Sequence, residues 1–326
     1  MKRLIYILLV AALAVVPAAC HNGTEANPNR EESLKILDAK IKKDGKNASL
    51  YYERGRILLS LGKENNNKQY LNEAITDLNK AVKLDDSKVE YYTALGDAHF
   101  ACLHVGESYN ALQNALRLDE NYFEALLKMS EIAFYSKDYD LAMETLNKVT
   151  AQDKNNQTAL FMKATIYKEN GDTSNAAFFY RRLIDLYPDF APAYEDLGVI
   201  YADHLDPLAI EYLNTAMNLD PKNENVIYAM AMFYQNIEDM EHADALYSKL
   251  LEINPQNKYA WHNRGWIQMM FYNDFELAVD YFTKALDIDD HYAEAHYDRG
   301  VAYELMGDMS KAETCYKAAK EAGYNK

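Results

Sequence analysis

A pattern of 34 residues recurs through most of this chain, and it limits the folds that the chain can adopt more than any other feature. In the copy at residues 157–190, two runs of apolar and small residues have a spacing of three or four positions, and Gly171 and Asp172 lie between the runs. This spacing places each run on one face of an α-helix, and Gly is typical of a turn. We therefore predict that each copy is a helix, a turn and a second helix. The residues that mark this copy are Leu160, Ala164, Tyr167, Ala176, Tyr180 and Leu183.

Small residues recur at two points of every copy. Two helices that cross at the usual separation of about 8–10 Å need a small side chain where they touch, and no copy can bury its apolar face without its neighbours. The pattern therefore predicts a stack of helix pairs. The series that opens the second helices, at intervals of 33 to 35 residues, is Ala74, Ser108, Ala142, Ala176, Ala209, Ala243, Ala278 and Ala312. The series at the middle of the first helices is Gly55, Gly96, Ser130, Ala164, Gly198, Ala231, Gly265 and Gly300.

Repeats of this length, with small residues at these points, resemble the tetratricopeptide repeat family. The resemblance covers about residues 48 to 322, and three copies also end in a proline. It implies an all-α fold, a right-handed superhelical solenoid of about eight helix-turn-helix repeats. For function, it implies the binding of a partner peptide or protein. The closing prolines are Pro188, Pro221 and Pro255.

The composition and the charge exclude several classes of function. The chain has 12 Gly and 7 Pro among 326 residues, which disfavours an all-β or a disordered protein. Its formal net charge of −16 argues against nucleic acid as a partner, because phosphate contacts require clustered Lys and Arg. The sequence has no HExxH motif, phosphate-binding Gly-rich loop or nucleophile elbow. We therefore predict no enzyme activity, no cofactor and no metal, and we interpret Cys102 and Cys315 as buried free thiols.

The N-terminus resembles a bacterial lipoprotein signal. The first three residues carry two positive charges, residues 4–16 are apolar, and Cys20 follows shortly afterwards. An apolar run of this length is typical of a signal segment and is too short to cross a bilayer comfortably. The resemblance implies that residues 1–19 are removed and that Cys20 carries a lipid. The alternative is an ordinary secretory signal, cleaved near Ala19, in which Cys20 is incidental.

The same signal predicts where the protein resides. A lipid on Cys20 would attach the mature chain to the membrane of the bacterial cell envelope. In lipoproteins of this kind, Asp after the Cys often favours the inner membrane, and this chain has His21 there instead. We therefore expect an outer-membrane lipoprotein that faces the periplasm.

Two short segments precede the predicted solenoid, which extends over residues 48–326. Residues 20–30 are polar and lack apolar periodicity, which is typical of a flexible tether. Residues 31–46 carry an apolar helical stripe, so we predict a helix that caps the first repeat.

The first repeat is longer than the others between its two small residues. The extra residues lie around Lys63 to Lys68, and they are polar. A polar insertion in a surface turn has little thermodynamic cost, which predicts a harmless loop. The alternative is a binding loop, because loops often carry function.

In tetratricopeptide repeats, the first helices line the concave surface, and this resemblance defines a candidate groove. The positions that would face the groove lack the Lys and Asn of the family's carboxylate clamp, so we do not expect carboxylate capture. The last three repeats instead present aromatic residues and Met, which make adaptable contacts with peptides. The alternative is that these residues pack in the core. We expect Trp266 to be the strongest contact, and the candidate groove residues are Tyr228, Met232, Tyr259, Trp266, Met269 and Tyr297.

Two functions from different classes fit this sequence. The first is a protein–protein interaction scaffold in the envelope, which would bind another envelope protein or a peptide from it. The second is a glycan- or nutrient-binding outer-membrane lipoprotein, since aromatic rings stack on sugars. The chain has 2 Trp and little sequence outside the repeats, whereas lipoproteins of the second kind usually add a large Trp-rich portion. The sequence therefore favours the scaffold.

Overall fold

A computed structural model describes residues 30–324, and 80% of them are helical. The prediction of an all-α fold is confirmed, since no strand occurs in this part of the chain. None of its helices combines the length and the apolar character needed to cross a membrane. The predicted signal segment, Cys20 and most of the tether lie outside the described residues. In chain order the helices are α1 (Arg30–Lys43), α2 (Ala48–Glu64), α3 (Lys68–Leu84), α4 (Val89–Ala101), α5 (Val105–Leu118), α6 (Phe123–Tyr135), α7 (Tyr139–Gln152), α8 (Gln157–Glu169), α9 (Thr173–Leu186), α10 (Ala191–Asp203), α11 (Leu208–Leu219), α12 (Glu224–Asn236), α13 (Met240–Ile253), α14 (Lys258–Ile267), α15 (Phe275–Ile288), α16 (Ala293–Leu305) and α17 (Met309–Glu321).

The chain divides into two compact units, with the boundary after Ile166 in α8. Unit 1 contains α1 to α7 and most of α8, and unit 2 contains the end of α8 and α9 to α17. Within each unit, a first helix packs against the second helix that follows it, as α4 does with α5 and α16 with α17. The second helix then packs against the first helix of the next pair. Each unit is therefore a stack of helix pairs.

The turns within the pairs combine two local features. A residue with a positive φ angle follows the first helix. The next residue is an Asp that caps the second helix, because its carboxylate accepts a hydrogen bond from a backbone N–H. Such caps contribute about 1 kcal/mol each. This arrangement reverses the chain within about three residues. It occurs at Lys137-Asp138, Gly171-Asp172, Glu238-Asp239, Asn273-Asp274 and Gly307-Asp308.

The small residues lie where the helices of a pair approach closely. A Cβ atom at Gly265 would lie 2.8 Å from the ring of Phe282, and one at Gly300 would lie 2.7 Å from the ring of Tyr316. Real Cβ atoms almost never approach so closely, so these positions require Gly. The small residues that open the second helices are all fully buried: Ala74, Ser108, Ala142, Ala176, Ala209, Ala243, Ala278 and Ala312.

The prediction of a surface loop in the first repeat is wrong. Helices α2 and α3 each have 17 residues, whereas α4 and α5 have 13 and 14. The insertion therefore lengthens both helices and leaves a turn of only three residues. Lys63, Glu64 and Lys68 are strong helix formers, and Asn67 caps α3 with bonds from two backbone N–H groups. Helix propensity and this cap explain why the polar segment is not a loop.

Helix α1 packs against the lengthened first repeat. Its Leu37 is buried, and Arg30 pairs with Glu64 at the end of α2. The guanidinium of Arg54 binds Asp38 of α1 at 2.6 Å and Asp77 of α3 at 2.7 Å. These ion pairs hold α1 against α2, and Arg54 also joins α2 to α3.

Candidate binding surface

The first helices of neighbouring repeats contact one another in unit 2. Helix α10 packs against α12. Asn263 of α14 contacts Tyr228 of α12, and His262 of α14 contacts Asp298 of α16. In a curved stack of helix pairs, the helices that meet in this way line the inner side. We call the surface formed by α12, α14 and α16 the inner face.

A group of polar and aromatic side chains surrounds Asn263. Tyr228 and Asn263 are partly exposed on this face, and Tyr247 of α13 is fully buried behind them. Its Nδ2 atom donates to the hydroxyl oxygens of Tyr228, at 3.2 Å, and Tyr247, at 3.0 Å. The Tyr247 hydroxyl also lies 2.9 Å from Oε1 of Gln235 and 3.0 Å from Sδ of Met232. A single amide thus connects residues of α12, α13 and α14.

A second group lies beside it, toward α16. The rings of Tyr259 and Tyr292 meet edge to face at 5.6 Å, and Nζ of Lys258 lies 5.1 Å from both ring centroids. Lys258 also forms an ion pair with Asp289. The ring of His262 lies 5.1 Å from that of Tyr292, and its Nε2 atom is 2.8 Å from Oδ2 of Asp298. We call Tyr228, Tyr247, Tyr259 and Tyr292, with Asn263, the tyrosine cluster.

Burial disfavours ionisation of three hydroxyls of this cluster. It raises the pKa of Tyr228, of Tyr247 and of Tyr292 above the usual range. A Tyr hydroxyl is protonated at neutral pH, so these groups act as hydrogen-bond donors and acceptors. Neutral hydroxyls, a carboxamide and aromatic rings suit a ligand with amide groups and apolar side chains.

The candidate groove residues do not share one environment. Tyr228 and Met232 lie around Asn263, and Tyr259 lies against Tyr292. Trp266 is half-buried and packs against two core clusters, so one part of the ring belongs to the core.

Met269 and Tyr297 lie apart from the tyrosine cluster. Met269 is 3% exposed and packs with Ala278 and Phe282, so its assignment to the groove surface is wrong. The local helix geometry, which the spacing of small residues does not record, turns it inward. Tyr297 stacks on Tyr324 at 4.3 Å.

The sequence reasoning missed Asn263, Tyr247 and Tyr292. For Tyr292 the sequence offers an indication. This residue stands at the capping position of α16, but its side chain makes no capping hydrogen bond. A Tyr in that position loses about 1 kcal/mol of capping and suggests another role for its ring. Lys88, Tyr122 and Phe190 also begin first helices without a side-chain cap bond. Four other first helices begin with a capping Asn, namely Asn47, Asn156, Asn223 and Asn257.

The corresponding face of unit 1 is charged. Nζ of Lys63 lies 2.6 Å from Oδ2 of Asp97, and Nζ of Lys128 lies 3.6 Å from Oδ1 of the same residue. Burial opposes ionisation of Asp97, but the two ammonium groups outweigh it and lower the pKa of this carboxyl. Both Lys residues are thus engaged by a carboxylate of the protein itself.

One group of donor atoms on the surface has metal-like spacing. Asp289, Asp290 and His291 each offer an atom within 4.8 Å of the others. Asp289 already pairs with Lys258, and Nδ1 of His291 contacts Asp290. These contacts account for the cluster as surface ion pairs.

The fold and the inner face define a helical-repeat protein. Its repeats are tetratricopeptide repeats, and proteins of this type generally mediate protein–protein interaction. Tetratricopeptide repeat models match residues 48–76, 124–156, 158–189 and 270–325. A model of the protein prenyltransferase alpha subunit repeat matches residues 240–271.

Known proteins with similar chains differ widely in their descriptions. BBSome complex member bbs-4 of Caenorhabditis elegans is 25% identical over 85% of this chain, and the chain spans about half of that relative, 53%. A tetratricopeptide repeat protein from Parabacteroides merdae has a TM-score of 0.57, with 17% identity, 74% of this chain and 95% of that chain covered. YrrB, described as having an unusual peptide-binding site, has a TM-score of 0.50, with 20% identity over 60% of this chain and 98% of its own. These structures support the fold.

Proposed function

We propose that this protein is an interaction scaffold that binds an extended peptide segment of a partner protein on the inner face of unit 2. The observation that carries the proposal is the position of Asn263, whose amide is held between the hydroxyls of Tyr228 and Tyr247. The rings of Tyr259 and Tyr292 lie beside it.

The chemistry of this site fits a peptide. A carboxamide and neutral hydroxyls can exchange hydrogen bonds with backbone N–H and C=O groups. Aromatic rings can contact the apolar side chains of the same segment. The peptide-binding site described for YrrB belongs to that protein, and it agrees with the kind of ligand proposed here.

We further propose that a lipid on Cys20 attaches the chain to the bacterial cell envelope, at the outer membrane facing the periplasm. The support is the apolar run at residues 4–16 and the Cys that follows it. The partner would then be another envelope protein. Membrane fractionation of wild type and Cys20→Ala tests this, and release of the variant into the soluble fraction is the expected result. An unlipidated Cys20 in the mass spectrum of the native protein would contradict it.

Proximity labelling with the full-length protein would identify the partner, and binding of its labelled segment can then be measured. Asn263→Ala should weaken binding by about tenfold or more, because it removes a hydrogen-bonding group at the centre of the contact. Asn225→Ala is the matched control, since Asn225 is exposed at the start of α12. Thermal melting of both variants reports their folding. Equal affinity of Asn263→Ala and wild type would overturn the proposed site.

A further inference from the structure

The repeat that contains α14 and α15 has one extra residue. Seven positions separate Gly198 from Leu205 and Gly300 from Gly307, which run from the mid-helix small residue to the turn residue with positive φ. In this repeat the corresponding interval, from Gly265 to Asn273, is eight. The extra residue is absorbed by a π-helical segment, Gln268–Tyr272, the only one within residues 30–324. Such segments occur frequently at functional sites.

This segment exposes three large apolar side chains. Met270, Phe271 and Tyr272 are 55%, 53% and 48% exposed. Phe271 and Tyr272 lie against the turn of the preceding pair, where Ile237 is 43% exposed. The two turns border a shallow cleft of about 510 Å³ that is largely open to solvent. We call it the turn cleft, and it is lined by Ile237, Glu238, Asp239, Met240, Glu241, Phe271 and Tyr272.

The polar part of the turn cleft is acidic. Glu238, Asp239 and Glu241 line it, and its lining contains no Lys or Arg. Asp239 caps α13 and contacts His242, so its carboxylate has a structural role. The other two acids add negative charge beside the exposed aromatic rings.

We propose that the turn cleft is a second docking site, which binds a peptide segment of a partner protein with an aromatic or aliphatic side chain flanked by Lys or Arg. The apolar side chain would contact Phe271 and Tyr272, and the basic residues would lie near Glu238 and Glu241. Charge complementarity selects this ligand. An anionic membrane surface would be repelled, and a second copy of the chain, with a net charge of −16, would bring the same acids together.

This site is separate from the tyrosine cluster. The two sets share no residue, and the turn cleft lies at the turns between paired helices rather than on the inner face. One chain could therefore hold two segments of one partner, or segments of two partners. A variant that loses binding at one of these sites need not lose binding at the other.

The test uses a fluorescein-labelled peptide of alternating Leu and Lys residues and measures fluorescence anisotropy with the full chain. Phe271→Ser combined with Tyr272→Ser should weaken binding by about tenfold, because aromatic residues dominate such contacts. The matched control is Phe178→Ser, an aromatic residue of unit 2 that is 57% exposed and distant in sequence. Glu238→Gln with Glu241→Gln should also weaken binding, whereas Glu252→Gln with Glu276→Gln should not. Melting curves exclude unfolding as the cause.

Several results would overturn the proposal. One is equal binding by the cleft variants and the controls, which would indicate only general attraction to an acidic protein. Another is equal binding of a peptide in which Glu replaces each Lys. Self-association in sedimentation experiments that is lost in the Phe271→Ser, Tyr272→Ser variant would indicate a second copy as the occupant. Flotation of the protein with vesicles of anionic phospholipid, lost in the same variant, would indicate a membrane.

Discussion

Gly265 and Gly106 allow a test of close helix contact at the scale of single residues. Both lie in helices, but a Cβ at Gly265 would meet Phe282 at 2.8 Å, whereas a Cβ at Gly106 would meet no atom within 4 Å. Ala at either position gains helix propensity of up to about 1 kcal/mol. Gly265→Ala also overpacks the contact, at a cost of about 1–3 kcal/mol. Chemical denaturation should therefore show Gly265→Ala to be less stable than Gly106→Ala. Equal stabilisation by both changes would contradict the assigned contact.

Glu195 gives a prediction about pH. Burial raises the pKa of this carboxyl above its usual range, although a hydrogen bond from Asn223 opposes the shift. Its ionised form therefore costs stability at pH values above the folded-state pKa, and the cost disappears below the unfolded-state pKa of about 4.3. Glu195→Gln should raise the Tm at pH 7 and leave it unchanged near that lower pH.

The control for this change is Glu252→Gln, because Glu252 is exposed in α13. It should alter the Tm little at either pH. A lower Tm for Glu195→Gln at pH 7 would show that the charge at this position is stabilising, which is the opposite of the expected effect.

The substitution Trp266→Ala distinguishes a core role of this residue from a binding role. Its ring packs against two core clusters while part of it remains exposed. We expect Trp266→Ala to lower the free energy of unfolding by about 3 kcal/mol, the lower end for a buried aromatic. Thermal melting measures this loss, and binding by the folded fraction measures any contribution to recognition. An unchanged Tm with lost binding would instead support the original expectation of a solvent-facing contact.

At the scale of elements, the π-helical segment is the clearest departure from the repeat. Deleting Met270 would restore the interval of seven residues between Gly265 and the turn at Asn273. The deletion should let α14 continue as a regular α-helix, with stability within about 1 kcal/mol of wild type, since surface changes away from the core have small effects. It should also reduce the exposed apolar surface, which binding of a hydrophobic fluorescent dye can report. A large loss of stability would show that the π geometry supports the core around Met269.

The lengthened first repeat shows why boundaries of elements were harder to predict than their number. Its polar residues fit either a loop or an extended helix, and the cap at Asn67 and the contacts of α1 favour the helix. Arg30 pairs with Glu64, at the added end of α2. Such a contact joins residues that the periodic pattern does not relate.

For the whole molecule, the far-UV circular dichroism spectrum should be that of a helical protein, since 80% of the described residues are helical. A spectrum with a substantial β component would contradict the fold. Because each repeat contacts mainly its neighbours, stability is expected to be a sum of local terms. A variant such as Gly265→Ala should therefore lower stability mainly in the repeats next to α14 and α15.

The fold could be predicted because small residues occur in the sequence at the positions where helices contact one another. Gly198, Gly265 and Gly300 mark places where a Cβ would collide with the partner helix. The tyrosine cluster could not be predicted in the same way, because Asn263 binds side chains from other helices and Tyr292 precedes its helix. Positions relative to a small residue give the direction of a side chain only where the helix is regular, which fails at Met269, and they do not give its hydrogen-bond partners.

The beginning of α16 has a consequence for how binding could be observed. Tyr292 gives the first amides of this helix no side-chain acceptor, whereas Asn257 accepts from the N–H of Ala260 in α14. Amide protons at the start of α16 should therefore exchange with deuterated solvent faster than those at the start of α14. A peptide held against Tyr292 would slow that exchange. The exchange rate of the amides at the start of α16 would then report whether a peptide is bound.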